Sequence, residues 1–146
     1  MNNDQIPAMR RPEDVDPIRN QSDLCRHWRM LMGELGFGRH SLWLHLLHED
    51  GRPSPVLAQI DDLPTTVDPA MADDVIIMCT HLLSDAPGST VALLLSRPGS
   101  AVLAGWEQAW ARELHAAADR HGVPIWPVHR ANDERLEVVS PDDLAA

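Results

Sequence analysis

Lysine and tyrosine are absent from the 146 residues, and phenylalanine occurs once. All twelve basic side chains are therefore arginine. These are residues with AT-rich codons, so their absence reads as the coding bias of a bacterium with a GC-rich genome, not as a physical adaptation. Long hydrophobic runs are missing too. Nothing approaches the roughly 18 apolar residues that a membrane-spanning helix needs, which excludes a membrane protein of that kind. The first residues, Met1 to Pro17, contain no apolar stretch of the type found in secretory signals, and the expected location is the cytoplasm. Cysteine is scarce: Cys25 and Cys79 stand alone on expected helices. Their spacing does not suit a metal site, and a disulfide is not expected in a reducing compartment. The net charge of −10 leaves no broad basic surface, which argues against nucleic acid as a partner. One local arginine group, Arg10, Arg11, Arg26 and Arg29, is read as solvated surface.

The familiar catalytic signatures are missing as well. No glycine loop of the phosphate-cradling kind occurs, and no nucleophile elbow. Of the eight histidines, His45 and His48 are three apart on an expected strand and so point to opposite faces. His115 and His121 face different sides of a helix. His40, His81 and His129 have no ligand-type neighbour at a useful spacing. The acidic pairs Asp61-Asp62 and Asp73-Asp74 read as solvated. We expect no catalytic residue, no metal site and no cofactor.

What is present is a clear pattern of elements. Residues 1–20 carry no apolar period and are expected to be a flexible tail; residues 21–146 are expected to be one α/β domain. A chain of this size buries roughly 70% of its unfolded surface, enough for a core without staples. Ser22 is the expected N-cap of a first helix whose stripe is Leu24, Trp28, Leu31, Met32 and Leu35, ending at Gly36. Arg39 to His48 alternates as a strand, with Leu42, Leu44 and Leu46 on one face and Trp43, His45 and Leu47 on the other. Asp50-Gly51 supplies a hairpin turn, and the return strand is placed at Val56 to Ile60. Asp68 and Pro69 open a second helix, with Met71, Val75, Met78, Cys79 and Leu82 along its stripe to about Asp85. Val91 to Leu95 is an apolar run between turn signals, the mark of a strand buried on both faces.

A third helix is expected from Val102 to Gly122, with Trp106, Trp110 and Leu114 inward and Glu107, Arg112 and Glu113 outward. Val123 to His129 is expected as a strand interrupted by Pro124 and Pro127. Leu136 to Val139 makes a last strand, and Pro141 to Leu144 closes the chain. The order α-β-β-α-β-α-β-β implies a mixed sheet with helices on its faces, a single three-layer-like sandwich.

The stretch Leu95-Ser96-Arg97-Pro98-Gly99-Ser100, set between the central strand and the long helix, resembles the RadC-like branch of the JAB/MPN metalloprotease fold. In that family the strand runs into His-x-His-Pro-Ser-Gly, and a Ser-x-x-Asp opens the helix. The resemblance implies a zinc centre at this edge, but Leu95 and Arg97 replace the histidines. The acidic ligand, expected near Gly105 and Gln108, is missing too. It therefore implies a degenerate member that binds instead of catalysing, with an unknown protein or a second copy of itself as partner. The alternatives are a divergent hydrolase or nuclease-like enzyme, and a sensor of small anions in the Ser96–Ser100 loop. In the sensor reading Ser96, Arg97 and Ser100 are the ligand-binding residues, because the planar guanidinium fork suits carboxylates and phosphates. Trp43 and Trp126, on strands, are the candidate partner-binding residues, since a half-exposed Trp anchors interfaces well.

Overall fold

The computed structural model describes residues 6–100 and 102–140. The first five residues of the expected tail and the closing segment from Pro141 lie outside them. Three α-helices and five strands are formed among the described residues: α1 (Gln21–Met32), β1 (Ser41–Leu47), β2 (Pro53–Asp61), α2 (Pro69–Ser84), β3 (Thr90–Ser96), α3 (Gly105–His121), β4 (His129–Ala131) and β5 (Leu136–Val138). The expected α/β class and element order hold. The strands make one mixed sheet in the order β2-β1-β3-β4-β5. Only β3 and β4 run parallel, and α3 is the crossover between them. No helix among the described residues is long and apolar enough to cross a membrane.

The central strand β3 explains the layering. Val91, Leu93 and Leu95 point to one face, where they meet Leu42, Leu44 and Leu46 of β1 and the stripes of α2 and α3. Ala92 and Leu94 point to the other, with Leu47, Leu24 and Trp28. An apolar run without alternation is what two covered faces require. Trp110, Ala111, Leu114, Ala117 and Ala118 of α3 are buried on the first face, as the stripe predicts.

Several boundaries differ from expectation, each for a local reason. Helix α1 is capped by Asn20, whose side chain accepts from the Asp23 N–H at 2.8 Å, so Ser22 lies inside the helix. It ends at Gly33 (φ 65°), a turn before Gly36, because the first glycine able to take that conformation stops the helix although Leu35 keeps the period. Strand β2 begins at Pro53, three residues early; a register shift opposite His45–Leu47 accommodates its two prolines. The segment from Val123 makes only an isolated bridge at Ile125, and β4 starts at His129, because Pro124 and Pro127 cannot donate to a ladder. Asp68 and Pro69 open α2 as expected, the Asp68 side chain accepting from the Met71 N–H at 2.9 Å.

The apolar contacts begin before residue 21. Ile18 is buried in the α1-side core, and its N–H donates to the Gly51 carbonyl at 2.8 Å. Gly51 closes the β1–β2 hairpin at φ 89°, and a Cβ there would sit 2.6 Å from the Ile18 carbonyl oxygen. Gly51→Val should therefore cost at least about 1–2 kcal/mol for the conformation alone, with the clash in addition. An unchanged urea midpoint would show that the turn relaxes freely.

Candidate functional site

In open α/β sheets ligands gather at the carboxyl ends of the parallel strands. Here that edge is the connection between β3 and α3, beside the end of β4, described at residues 97–100 and 102–104. Arg97 is buried at 8% exposure. Its Nε donates to Glu107 Oε1 at 2.8 Å, its Nη1 to the Pro98 carbonyl at 3.0 Å, and its Nη2 to the carbonyls of Ser100 at 3.0 Å and Val102 at 2.6 Å. Four of the five guanidinium N–H groups are thus taken by the loop and the helix it enters. The arrangement organises the loop around the charge.

Glu107 corrects the sequence reading. Its place off the apolar stripe predicts a solvent position, yet its exposure is 0%. Its Oε1 also accepts the Ala104 N–H at 2.9 Å. Ala104 has no side-chain oxygen to cap α3, so the third helical residue reaches back to the first turn, half of a capping box. Arg130 Nη1 lies 3.8 Å from the same oxygen, and Arg130 also pairs with Glu137. One buried carboxylate thus sits between two guanidiniums. The sequence signal was the position itself, a glutamate three residues after the cap and ten after an arginine.

The loop is held from outside by Asp133, which accepts from the Gly99 N–H at 2.9 Å and the Phe37 N–H at 3.2 Å. These two bonds hold its carboxyl below the usual carboxylate range. The three candidate ligand residues do not converge. Ser96 is buried with its hydroxyl accepting from Trp43 Nε1 at 2.9 Å. Ser100 is exposed and offers Arg97 only its carbonyl.

The candidate partner residues share the α1 face but not a place. Trp43 is half-buried beside Ser96, at the carboxyl end of β3. Trp126 is half-buried at its amino end, with Nε1 donating to Thr90 Oγ1 at 2.8 Å. Six residues of strand, about 20 Å, separate Thr90 from Ser96.

Between them α1 brings a residue that the sequence reading passed over. His27 stacks on His45, ring centroids 5.0 Å apart, and their Nε2 atoms are 3.0 Å apart. His45 Nδ1 lies 2.9 Å from the Val56 carbonyl, which can only accept. Burial pushes the pKa of both rings down, that of His27 to about 4, so both are neutral. The proton order follows: His45 donates from Nδ1 and accepts at Nε2, and His27 donates from Nε2. The Nδ1 of His27 is left as a bare acceptor, buried and without a partner. The signal for His27 was its spacing, three after Leu24 and four before Leu31, inside the apolar stripe.

His129 is a second such ring on the same face. It is fully buried, its Nδ1 donates to the Pro127 carbonyl at 3.0 Å, and burial pushes its pKa down to about 4. The unfolded chain, with an ordinary value of 6.5, binds more protons between those two values. Stability is therefore complete above pH 6.5 and falls as the pH drops toward 4. His129 alone should remove about 2 kcal/mol between pH 7 and pH 5, and His27 and His45 act in the same direction. Urea midpoints at the two pH values test this. Equal values, or an undiminished difference in His129→Gln, would refute it.

Cys25 and Cys79 are free and on opposite sides of the sheet, so no disulfide can join them. Burial pushes the Cys79 thiol up to about 12, far from a reactive thiolate. Among the described residues no group of three or more His, Cys, Asp or Glu side chains could hold a metal ion. No model of a known protein family matches the chain, and no curated protein matches it either.

Proposed function

We propose that this chain is a binding domain, built on a RadC-like arrangement without its hydrolytic centre, and that its partner is another protein in the bacterial cytoplasm. The observation that carries the reading is the clasp between Arg97 and Glu107. At the sheet edge where the resemblance would put a zinc-bound water, an arginine is turned inward onto loop carbonyls and a buried carboxylate. A metal-bound water needs about three protein ligands and an open position, and this loop gives its charged groups to holding its own shape. The half-buried rings of Trp43 and Trp126, flanking α1, are the candidate anchors for the partner.

The protein should purify without stoichiometric zinc and take up none on dialysis against it. One zinc per chain by elemental analysis would overturn the non-catalytic reading. For the partner, a photo-crosslinking residue at position 43 or 126 should trap a discrete protein in cells, and one at position 74 on the far face should not. Identical products from all three positions would remove the tryptophans from the interface.

A further inference from the structure

Arg10 and Arg26 belong to different parts of the chain, the segment before the 3-10 turn at Pro12–Asp14 and helix α1. A cavity of about 390 Å³ lies between that segment and the helix, and both arginines line it, together with Asp16 and Asp23. Ile18 and Met30 contribute apolar wall, and the His27 ring also lines the cavity. Among the described residues the side chains of Arg10, Arg26 and Asp16 form no ion pair or hydrogen bond. Asp23 accepts the Arg19 N–H at 3.0 Å through one oxygen, leaving the other. His27 is 6% exposed, and its Nδ1 is an acceptor with no partner.

The charges decide the class of ligand. Two cations and two carboxylates line the same space, so its formal charge is zero. A simple anion would gain the arginines but face Asp16 and Asp23; a simple cation would meet the reverse. A molecule carrying both signs a few ångströms apart satisfies all four groups. The volume falls at the small end of the roughly 300–1,000 Å³ range of ligand pockets, which suits an amino acid or dipeptide better than a cofactor. We propose that this cavity binds a small zwitterion, an amino acid or dipeptide. Arg10 and Arg26 take its carboxylate, for which the guanidinium fork gives paired bonds. Asp16 and Asp23 take its ammonium group. The site lies away from the Arg97 loop and does not depend on the protein-binding reading.

The test is calorimetric titration of the full chain at pH 7 with each standard L-amino acid and with diglycine. The same compounds as N-acetyl amides, and inorganic phosphate, serve as comparison probes. At least one zwitterion should bind saturably, and its N-acetyl amide should not. Arg26→Gln, at an exposed helix position, should weaken binding about tenfold or more while leaving the thermal midpoint of the free protein unchanged. Should that variant unfold, Arg10→Gln and Asp16→Asn make the same demand. The proposal is overturned if no amino acid or dipeptide binds, if the capped compounds bind equally well, if phosphate alone binds, or if the folded variants bind like the parent.

Discussion

Trp110→Ala should destabilise the protein by about 3–5 kcal/mol, the range for deleting a large buried aromatic. Trp110 is 2% exposed and stands in the middle of α3, against the core that β1, β3 and α2 share. Its Nε1 donates to the Pro64 carbonyl at 2.7 Å, which fixes the connection between β2 and α2. The substitution leaves a cavity and an unpaired carbonyl together. Against a typical total stability of about 5–15 kcal/mol the loss should be plain in any denaturation curve. Glu113→Arg, on the outer side of the same helix, should change stability by no more than about 0.5 kcal/mol. A silent Trp110→Ala would mean that the helix docks in a different rotation.

Glu107→Ala should cost a similar amount, about 3–5 kcal/mol, by a different route. The carboxylate is fully buried and serves Arg97, Arg130 and the Ala104 N–H. Removing it leaves the buried Arg97 charge without its counterion, and uncaps α3. Glu107→Gln keeps an acceptor for the amide and should cost clearly less than Glu107→Ala. If all three proteins unfold at the same urea concentration, Arg97 has found other solvation and the clasp is not what holds the loop.

These two residues mark what the sequence could and could not reveal. Trp110 was legible because a helical period repeated over several turns reports which face is buried. The alternation of Leu42 to Leu47 and the uninterrupted run of Val91 to Leu95 were legible for the same reason: each repeats a local rule. Glu107 was not, since a stripe averages over the whole helix, whereas the first turn of α3 lies under a loop and meets an arginine ten residues back. His27 was hidden because its partner, His45, comes from another element and makes polar sense only across the layer. The loop candidates Ser96, Arg97 and Ser100 were close in sequence, but a strand's alternation sent the Ser96 hydroxyl to the face of Trp43. Only the carbonyl of Ser100 was brought to Arg97. Nearness along a chain does not make a site when the backbone changes direction within it.

The irregular start of β2 has a consequence for how the molecule behaves in a crowded solution. β2 forms one border of the sheet, and such borders invite further strands and hence aggregation. Pro53 and Pro55 remove two amide donors from its first half, and the register shift against β1 twists that half away from a flat ladder. At the other end Asp61 and Asp62 share a single cation, Arg39, and so leave a net negative charge on a chain that already carries an excess of it. An approaching copy of the same border meets missing donors at one end and like charges at the other. The prolines in the first half of the hairpin's return strand thus act as guards against its pairing with the wrong neighbour.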